Sequence, residues 1–150
     1  MIGLLQRVTD AQVVGGGSII AAIGRGTLVL VGMEKGDGVR QVERLLERLL
    51  GYRVFPDAEG RMNLSLQDVE GDLLLVPQFT LAADTSKGAR PSFSGAAPPE
   101  TGKVLFEQLV AAAQARYPHV CCGRFGADMK VTLTNDGPVT FWLRVPPGTG

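Results

Sequence analysis

An uninterrupted apolar run over residues 73–76 is the most prominent feature of the hydrophobic pattern. The run is short, and it lies between Gly71-Asp72 and Pro77, which are turn formers. An apolar run in that context predicts a strand buried on both faces rather than a helix. Polar groups that follow the end of such a strand would be supported by a rigid element.

Polar and apolar residues alternate directly after this run. If the chain stays extended, Gln78 and Thr80 lie on one face of the strand, and Phe79 and Leu81 lie on the other. The pattern therefore predicts an amide and a hydroxyl side by side at the end of a core strand. An ordinary half-buried strand has the same pattern, and spacing alone favours that alternative.

The preceding and following segments divide into strands and two helices. Apolar residues at helical spacing over 39–50, with charged residues between them, predict a helix that ends at a left-handed Gly51. A second helix is predicted over 100–117. Short β-rich segments separated by glycines predict hairpins in the first third of the chain. These segments are 2–8, 11–14, 19–23 and 27–31.

The last third of the chain predicts one more hairpin. Apolar and polar residues alternate over 129–134 and again over 139–145, and Asn135-Asp136-Gly137-Pro138 lies between them. The first three of these residues are common in turns. An X-Pro bond is cis in only about 5–6% of cases in folded proteins, so the sequence alone predicts a trans Gly137–Pro138 peptide.

Composition limits the class of protein. The chain has 150 residues, of which 45% are hydrophobic, which suits one domain with a core. We expect that domain to span 1–145 and the tail, 146–150, to be disordered. Lys+Arg and Asp+Glu both number 15, which argues against a protein that coats nucleic acid through bulk electrostatics. A local contact with a phosphate is still compatible with this balance, through Lys87 and Arg90 in a polar loop.

The sequence also carries signs of its compartment. No apolar run approaches the roughly 18 residues of a membrane span, and the N-terminus does not resemble a secretion signal. Cys121 and Cys122 are adjacent, which argues against a disulfide framework and fits a reducing compartment. Together with His119 they match none of the usual zinc spacings. We therefore expect a cytoplasmic protein with no membrane association, no metal and no cofactor.

Two segments carry a resemblance to a known family. Residues 78–85 with 90–93 form the first segment, and residues 135–140 form the second. In sequence and in position both resemble the D-aminoacyl-tRNA deacylase family, and the match runs over 1–145 without a large insertion. Shorter matching segments are Gln6-Arg7-Val8, Gly51-Tyr52-Arg53, Asp57-Ala58-Glu59-Gly60 and Met62-Asn63-Leu64.

That resemblance implies an α+β fold of two packed β-sheets, barrel-like, with helices on the outside. It also implies a homodimer that hydrolyses the ester between a D-amino acid and the terminal adenosine of tRNA. Gln78, Phe79 and Thr80 are the implied catalytic residues. Gly137 and Pro138 are implied to form a cis peptide that enters the active site of the partner subunit as a chiral gate.

A gate of this kind has a physical reason. A pocket that selects by size gains only about 1–3 kcal/mol per methylene, too little to protect the excess of L-aminoacyl-tRNA. Rejection of the L side chain therefore has to come from a clash, which backbone oxygens fixed near the α-carbon would supply. Such a site should accept many D-amino acids and should not reject glycine, which has no side chain. Arg7 and Met129 match family residues that hold or flank the gate.

Two chemical routes are compatible with the matched residues. Thr80 could act as a nucleophile, but a neutral hydroxyl needs a base, and the only histidine, His119, lies outside every matched segment. We favour backbone N–H groups near Phe79 and Thr80 as an oxyanion hole, with water attacking the ester and the tRNA 2′-hydroxyl assisting. Gln78 would then position the substrate.

Pro77 departs from the family pattern, in which serine is usual at this position. Proline lacks both the hydroxyl and a backbone N–H. The main alternative is therefore a catalytically weakened module that binds the tRNA 3′ end. A structural protein on the same scaffold and an esterase for small molecules are the further alternatives.

Overall fold

The computed structural model describes residues 1–148. It contains a six-stranded, nearly closed, barrel-like sheet, a separate two-stranded sheet and three α-helices, so the predicted α+β class is confirmed. The strands are β1 Ile2–Gly15, β2 Ser18–Ile23, β3 Gly26–Gly32, β4 Phe55–Pro56, β5 Met62–Leu64, β6 Asp72–Pro77, β7 Val120–Cys122 and β8 Lys130–Arg144. The helices are α1 Val39–Gly51, α2 Leu66–Val69 and α3 Pro99–Arg116, and a 3-10 turn covers Phe79–Ala82.

β1 organises the main sheet because both of its edges are paired. The segments 2–8 and 11–14, predicted separately, form this one strand. One edge pairs with β3 and then with β2, and the other edge pairs with β8. Beyond β3, the strands β6 and β7 follow in parallel. The order is thus β2-β1-β3-β6-β7 with β8 beside β1, and β2 contacts β6 and β7 across the barrel.

β6 is buried on both faces, as its apolar run predicts. Leu73 and Leu75 pack into a core shared with α1 and α3, whereas Leu74 and Val76 pack into the interior of the barrel. All four side chains are at most 1% exposed. Burying an apolar side chain of this size stabilises the fold by about 1.5–3 kcal/mol. The polar residues that follow β6 therefore extend from one of the most firmly packed parts of the molecule.

The two long helices lie close to their predicted positions, and α3 covers 99–116 rather than 100–117. The predicted left-handed stop of α1 at Gly51 is wrong. Gly51 is the last helical residue, and the chain leaves the helix through an extended Tyr52. The Tyr52 ring packs edge-on against Phe141 at 5.4 Å between centroids, which directs the chain away from the helix axis toward β8.

The predicted hairpin in the last third of the chain is also wrong. β8 is a single strand, and residues on both sides of the predicted turn pair with β1, Thr140 with Gln6 and Asn135 with Val8. The residues between them, 136–139, leave the ladder as a bulge. Turn-forming residues suit a bulge as well as a chain reversal, and the long-range pairing with β1 decides between the two.

Asn135 closes this bulge with its side chain. Its Oδ1 accepts a hydrogen bond from the N–H of Val139 at 2.9 Å, and its Nδ2 donates to Thr140 Oγ1 at 2.8 Å. The Gly137–Pro138 peptide in the bulge is cis, as the resemblance implies and contrary to the expectation from sequence alone. Gly137 has a φ of 132°, in a region that favours glycine.

The part of the predicted disordered tail that the structure describes contacts the start of α1. Pro146 O accepts a hydrogen bond from Gln41 Nε2 at 3.2 Å, and the N–H of Gly148 donates to Gly36 O at 3.2 Å. Residues 149–150 lie outside the described residues. Within residues 1–148, no helix is both long and apolar enough to span a membrane.

Candidate active site

A cavity of about 450 Å³ opens at the C-terminal end of β6. Its wall combines the end of β6, the 3-10 turn, the start of α3 and the connection between β7 and β8. The lining residues are Met33, Val76, Pro77, Gln78, Phe79, Ala97, Pro99, Gly102, Phe125, Gly126, Ala127, Asp128, Met129 and Val131. Most of these side chains are apolar, so the few polar groups at the wall decide which ligand can bind.

The predicted extended conformation after β6 is wrong, because the chain turns at Gln78. The N–H of Gln78 still donates to Val31 O at 2.8 Å, and the N–H of Leu81 then donates to Gln78 O at 3.2 Å to begin the 3-10 turn. Gln78 and Thr80 meet nevertheless. Gln78 Nε2 donates to Thr80 Oγ1 at 2.5 Å, so the turn brings together the amide and the hydroxyl.

The same turn creates two backbone donors beside the cavity. The first N–H groups of a helical turn have no acceptor within the turn, and here they belong to Phe79 and Thr80. The Phe79 side chain lines the cavity, is 59% exposed and packs against Phe93 at 5.2 Å between centroids. A backbone donor pair next to an apolar wall is an arrangement that can bind a developing oxyanion.

Pro77 is the last residue of β6 and part of the cavity wall. It pairs with Val31 in the parallel ladder, in which the N–H that reaches the Val31 carbonyl is that of the next residue, Gln78. Proline at position 77 therefore costs no hydrogen bond to β3. The donors at Phe79 and Thr80 lie after Pro77 and are present.

Arg7 holds the bulge of β8 through backbone carbonyls. Its Nε donates to Asp136 O at 3.0 Å, and its Nη1 donates to Val54 O at 2.7 Å. Its Nη2 lies 3.2 Å from the point that a Cβ on Gly137 would occupy. The side chain is only 13% exposed, so this guanidinium fixes the position of the bulge from within the fold.

The structure does not bring all the predicted site residues together within one chain. Gly137 and Pro138 are not among the residues that line the cavity. Met129 lines the cavity, and its Sδ accepts a hydrogen bond from the N–H of Arg124 at 3.4 Å. In one chain the cavity and the bulge of β8 are thus separate features.

Lys87 and Arg90 lie in an exposed loop outside the cavity wall. Reciprocal backbone hydrogen bonds between Asp84 and Ser92, at 2.7 and 2.9 Å, close this loop at its base. The Asp84 carboxylate accepts hydrogen bonds from Ser86, which lower its pKa. The loop therefore presents its two basic side chains to solvent from a defined base.

Sequence reasoning named only Met129, as a residue that holds or flanks the gate, and did not identify the rest of the connection between β7 and β8 as part of the site. It supplies five consecutive lining residues, 125–129, and within residues 1–148 Asp128 is the only one of the lining residues with an ionisable side chain. Phe125 anchors the connection against Phe106 at 6.4 Å between centroids. No local periodicity marks this segment, and Gly123 and Gly126 on either side of Phe125 were its only signal.

The cysteines and the histidine take no part in the cavity wall. Burial raises the pKa of both thiols, Cys121 and Cys122, so they are protonated at neutral pH. The His119 ring packs edge-on against Tyr117 at 5.6 Å. Across residues 1–148, no group of three or more His, Cys, Asp or Glu side chains is placed to hold a metal ion.

Comparison with known proteins identifies the family. Residues 4–144 match the family model described as D-Tyr-tRNA(Tyr) deacylase. The chain belongs to this family. It is 67% identical to a D-aminoacyl-tRNA deacylase of Nitrosococcus oceani over 98% of this chain and 95% of that protein. It is 65% identical to a D-aminoacyl-tRNA deacylase of Methylococcus capsulatus over 98% and 96% of the two chains. The family expected from the sequence, a family of hydrolases, is confirmed.

Solved structures agree with this membership. A c-Myc DNA Unwinding Element Binding Protein superposes with a TM-score of 0.93 at 38% identity, over 97% of this chain and 99% of that chain. A probable eukaryotic D-amino acid tRNA deacylase superposes with a TM-score of 0.79 at 18% identity, over 95% and 97%. The second likeness concerns the fold alone.

Proposed function

We propose that this chain hydrolyses the ester of D-aminoacyl-tRNA in the cytoplasm, using residues 1–145 as one deacylase domain. The observation that carries the proposal is the hydrogen bond between Gln78, which lines the cavity, and Thr80, together with the N–H groups of Phe79 and Thr80, which have no acceptor within residues 1–148. Family membership and the names of the relatives support the same reaction.

The reaction follows from the groups at the end of β6. Water forms a bond to the ester carbonyl carbon while the carbonyl oxygen, which gains negative charge, accepts hydrogen bonds from the N–H groups of Phe79 and Thr80. The carbon–oxygen bond to the ribose then breaks, and the 3′-oxygen of tRNA leaves with a proton. The neighbouring 2′-hydroxyl of the substrate assists the proton transfer. Gln78 positions the ester through the amide hydrogen and oxygen that Thr80 does not use.

The gate acts between two copies of the chain in this proposal. The bulge of β8 and the cavity are separate in one chain, so a second copy has to bring Gly137 and Pro138 to the cavity. β8 pairs only with β1 among the described strands, which leaves one edge of a 15-residue strand open. Trp142 on this strand is 58% exposed. Met129, in the cavity wall, would then flank the partner's gate.

The proposed substrate contacts extend beyond the cavity. Lys87 and Arg90, on the exposed loop, are placed to meet phosphates of the tRNA 3′ end. A gate that works by a clash with the L side chain admits glycine, so glycyl-tRNA is a second expected substrate.

Pro77 supports one other candidate function, a weakened module that binds the tRNA 3′ end without efficient turnover. The bonds around Pro77 favour the deacylase instead, since the ladder bond from Gln78 to Val31 does not involve the nitrogen of residue 77 and both proposed oxyanion donors are present.

The test is hydrolysis of D-tyrosyl-tRNA, L-tyrosyl-tRNA and glycyl-tRNA by the purified protein. We expect the D ester and the glycyl ester to be cut and the L ester to survive. Binding without hydrolysis of any ester would favour the binding module. Hydrolysis of D- and L-esters at similar rates would contradict the gate, and equal activity on the free aminoacyl-adenosine would favour a small-molecule esterase.

A further inference from the structure

Two exposed phenylalanine rings form a pair at the edge of the cavity. Phe79, which lines the cavity, is 59% exposed, and Phe93 beside it is 40% exposed. The ring centroids lie 5.2 Å apart, with 46° between the ring planes. Among the aromatic pairs of residues 1–148, this is the one in which both rings are exposed. Exposed apolar side chains that contact each other mark a binding surface, whereas single ones are ordinary.

The backbone on both sides of Phe93 is held by hydrogen bonds. Ser92, the preceding residue, exchanges two backbone hydrogen bonds with Asp84 at the base of the loop over 84–92. The carbonyl of Phe93 itself accepts a hydrogen bond from the N–H of Ala96 at 3.0 Å. Phe93 is therefore presented beside Phe79 by a supported segment, and the fold leaves its ring partly in solvent.

The charges next to this aromatic pair suit a nucleic acid. Lys87 and Arg90 lie in the loop that ends directly before Phe93, and within residues 1–148 neither of them forms an ion pair. Exposed aromatic rings combined with basic side chains are typical of a site for single-stranded nucleic acid, because bases stack on the rings and phosphates meet the cations. An apolar peptide would match the rings but not the two cations.

The size of the cavity decides which nucleotide reaches the pair. A cavity of about 450 Å³ suits one small ligand, so it takes the terminal aminoacyl-adenosine of the proposed substrate and leaves the preceding nucleotide outside. Phe79 belongs to the cavity wall, whereas Phe93 is not among the lining residues and contacts Phe79 from outside. The ring of Phe93 is therefore close enough to the cavity for the next nucleotide along the strand.

We infer that the base of the nucleotide preceding the terminal adenosine stacks on Phe93, whose ring Phe79 supports, an assignment that rests on the proposed function. In tRNA this nucleotide is a cytidine. Stacking uses the face of a base rather than its hydrogen-bonding edge, so the contact holds the single-stranded 3′ end without reading its sequence. Phe93 is a binding residue that takes no part in ester cleavage. The site thereby gains affinity from a part of the substrate that is the same for every amino acid.

The experiment compares three non-hydrolysable ligands. The adenosine ligand is 3′-(D-phenylalanylamino)-3′-deoxyadenosine, the cytidine ligand extends it at the 5′-oxygen by a cytidine 3′-phosphate, and the abasic ligand has an abasic ribose in place of that cytidine. The cytidine and abasic ligands differ only in the base, so the ratio of their dissociation constants reports the contact with the base. Calorimetry at low and high salt gives these constants for the unaltered protein, Phe93→Ala, Phe93→Tyr and the control Ile19→Ala, which shortens a side chain that is 62% exposed on β2.

We expect the unaltered protein and Ile19→Ala to bind the cytidine ligand about five- to thirtyfold more tightly than the abasic ligand, the lower part of the range for a base on an aromatic side chain. Phe93→Ala should reduce this ratio to about twofold or less and leave the affinity for the adenosine ligand unchanged, whereas Phe93→Tyr should keep the ratio. The ratio should not depend on salt, because the two ligands carry the same phosphate.

The outcomes separate the two proposals. If D-tyrosyl-tRNA is hydrolysed but the cytidine and abasic ligands bind equally, or Phe93→Ala keeps the full ratio, the inference about Phe93 is wrong and the deacylase proposal stands. A Phe93→Ala variant that sediments as a monomer, when the unaltered protein is a dimer, would assign the aromatic pair to a contact between subunits and also overturn the inference. If D-tyrosyl-tRNA is not hydrolysed and none of the three ligands binds, the proposed function is wrong and the inference falls with it.

Discussion

The side chain of Gln78 has two amide hydrogens and an oxygen, and Thr80 engages only one hydrogen. The rest of the amide is left for a ligand. Thr80, by contrast, has no carboxylate or imidazole hydrogen-bonded to it among residues 1–148, so nothing is placed to remove its proton. At the scale of single residues, the site therefore depends on Gln78 and on two backbone N–H groups more than on the Thr80 hydroxyl.

This difference predicts unequal effects of two substitutions. Thr80→Ala should reduce the single-turnover rate with D-tyrosyl-tRNA by about tenfold or less, because the backbone donors remain. Gln78→Ala should reduce it by about a hundredfold, a loss typical of a positioning group. A rapid-quench assay measures both rates. Complete loss of turnover in a folded Thr80→Ala variant that still binds substrate would instead support a nucleophilic Thr80.

A second prediction at this scale concerns Arg7, whose guanidinium donates hydrogen bonds to two backbone carbonyls. Arg7→Ala should lower the free energy of unfolding by about 1.5–3 kcal/mol, the range for hydrogen bonds to a charged group. It should also increase hydrolysis of L-tyrosyl-tRNA, since the bulge loses its support. Urea denaturation and the L/D rate ratio are the measurements, with the exposed Arg40→Ala as control. If the ratio of L- to D-tyrosyl-tRNA hydrolysis is unchanged in Arg7→Ala, Arg7 does not support the gate.

Among the elements, those with local periodicity were predictable from the sequence. The apolar run of β6 indicates a strand that is buried on both faces. The helical spacing of α1 indicates a helix that is buried on one face. The bulge of β8 was not predictable, because residues 135–138 suit a reversal equally well until the pairing with β1 is known. The 3-10 turn after β6 was not predicted for a related reason. The alternation of polar and apolar residues over 78–81 fits an extended strand, but an alternation of only four residues also occurs in turns.

The residues of the candidate site also differ in whether the sequence marks them. Gln78, Phe79 and Thr80 follow a recognisable core strand, and Gly137-Pro138 lies in a recognisable motif. Asp128 has neither signal. It reaches the cavity only because the connection from β7 to β8 folds back over the end of β6, and such a placement depends on packing rather than on neighbouring residues.

The end of α1 carries a prediction that belongs to the element. Gly51 is helical, and a Cβ there would meet nothing within 4 Å. Gly51→Ala should therefore raise the free energy of unfolding by about 0.4–1 kcal/mol, because alanine lowers the entropy of the unfolded chain and suits a helix. Chemical denaturation measures the change, and deacylation should be unaffected. Destabilisation would mean that the left-handed stop predicted from sequence forms in solution.

On the scale of the whole molecule, one chain carries both a cavity and a bulge but does not join them. The open edge of β8 and the exposed Trp142 lie on the strand that carries the bulge. Long open edges are uncommon in proteins that stay monomeric, because they expose unpaired backbone groups. A second copy would cover this edge and complete the proposed site at the same time.

Trp142→Lys tests that arrangement. We expect the unaltered protein to sediment as a dimer, and the variant to shift toward monomer and lose D-tyrosyl-tRNA hydrolysis in parallel. Val104→Lys is the matched control, because Val104 is 52% exposed on α3, comparable with the 58% of Trp142. Sedimentation velocity over a range of concentrations gives the association state. A fully active monomeric variant would contradict a gate supplied by the partner.

The bulge of β8 also restricts how the chain can change in length. Both of its ends are fixed in the ladder with β1, and side chains in a strand alternate between faces. One added residue would either enlarge the bulge past the reach of Asn135 or shift one arm of β8 and turn its buried side chains outward. The loop over 84–92 is joined only at its base and can absorb insertions at little cost. Length variation among homologous chains should therefore collect between residues 85 and 90, outside the matched segments, and spare residues 135–140.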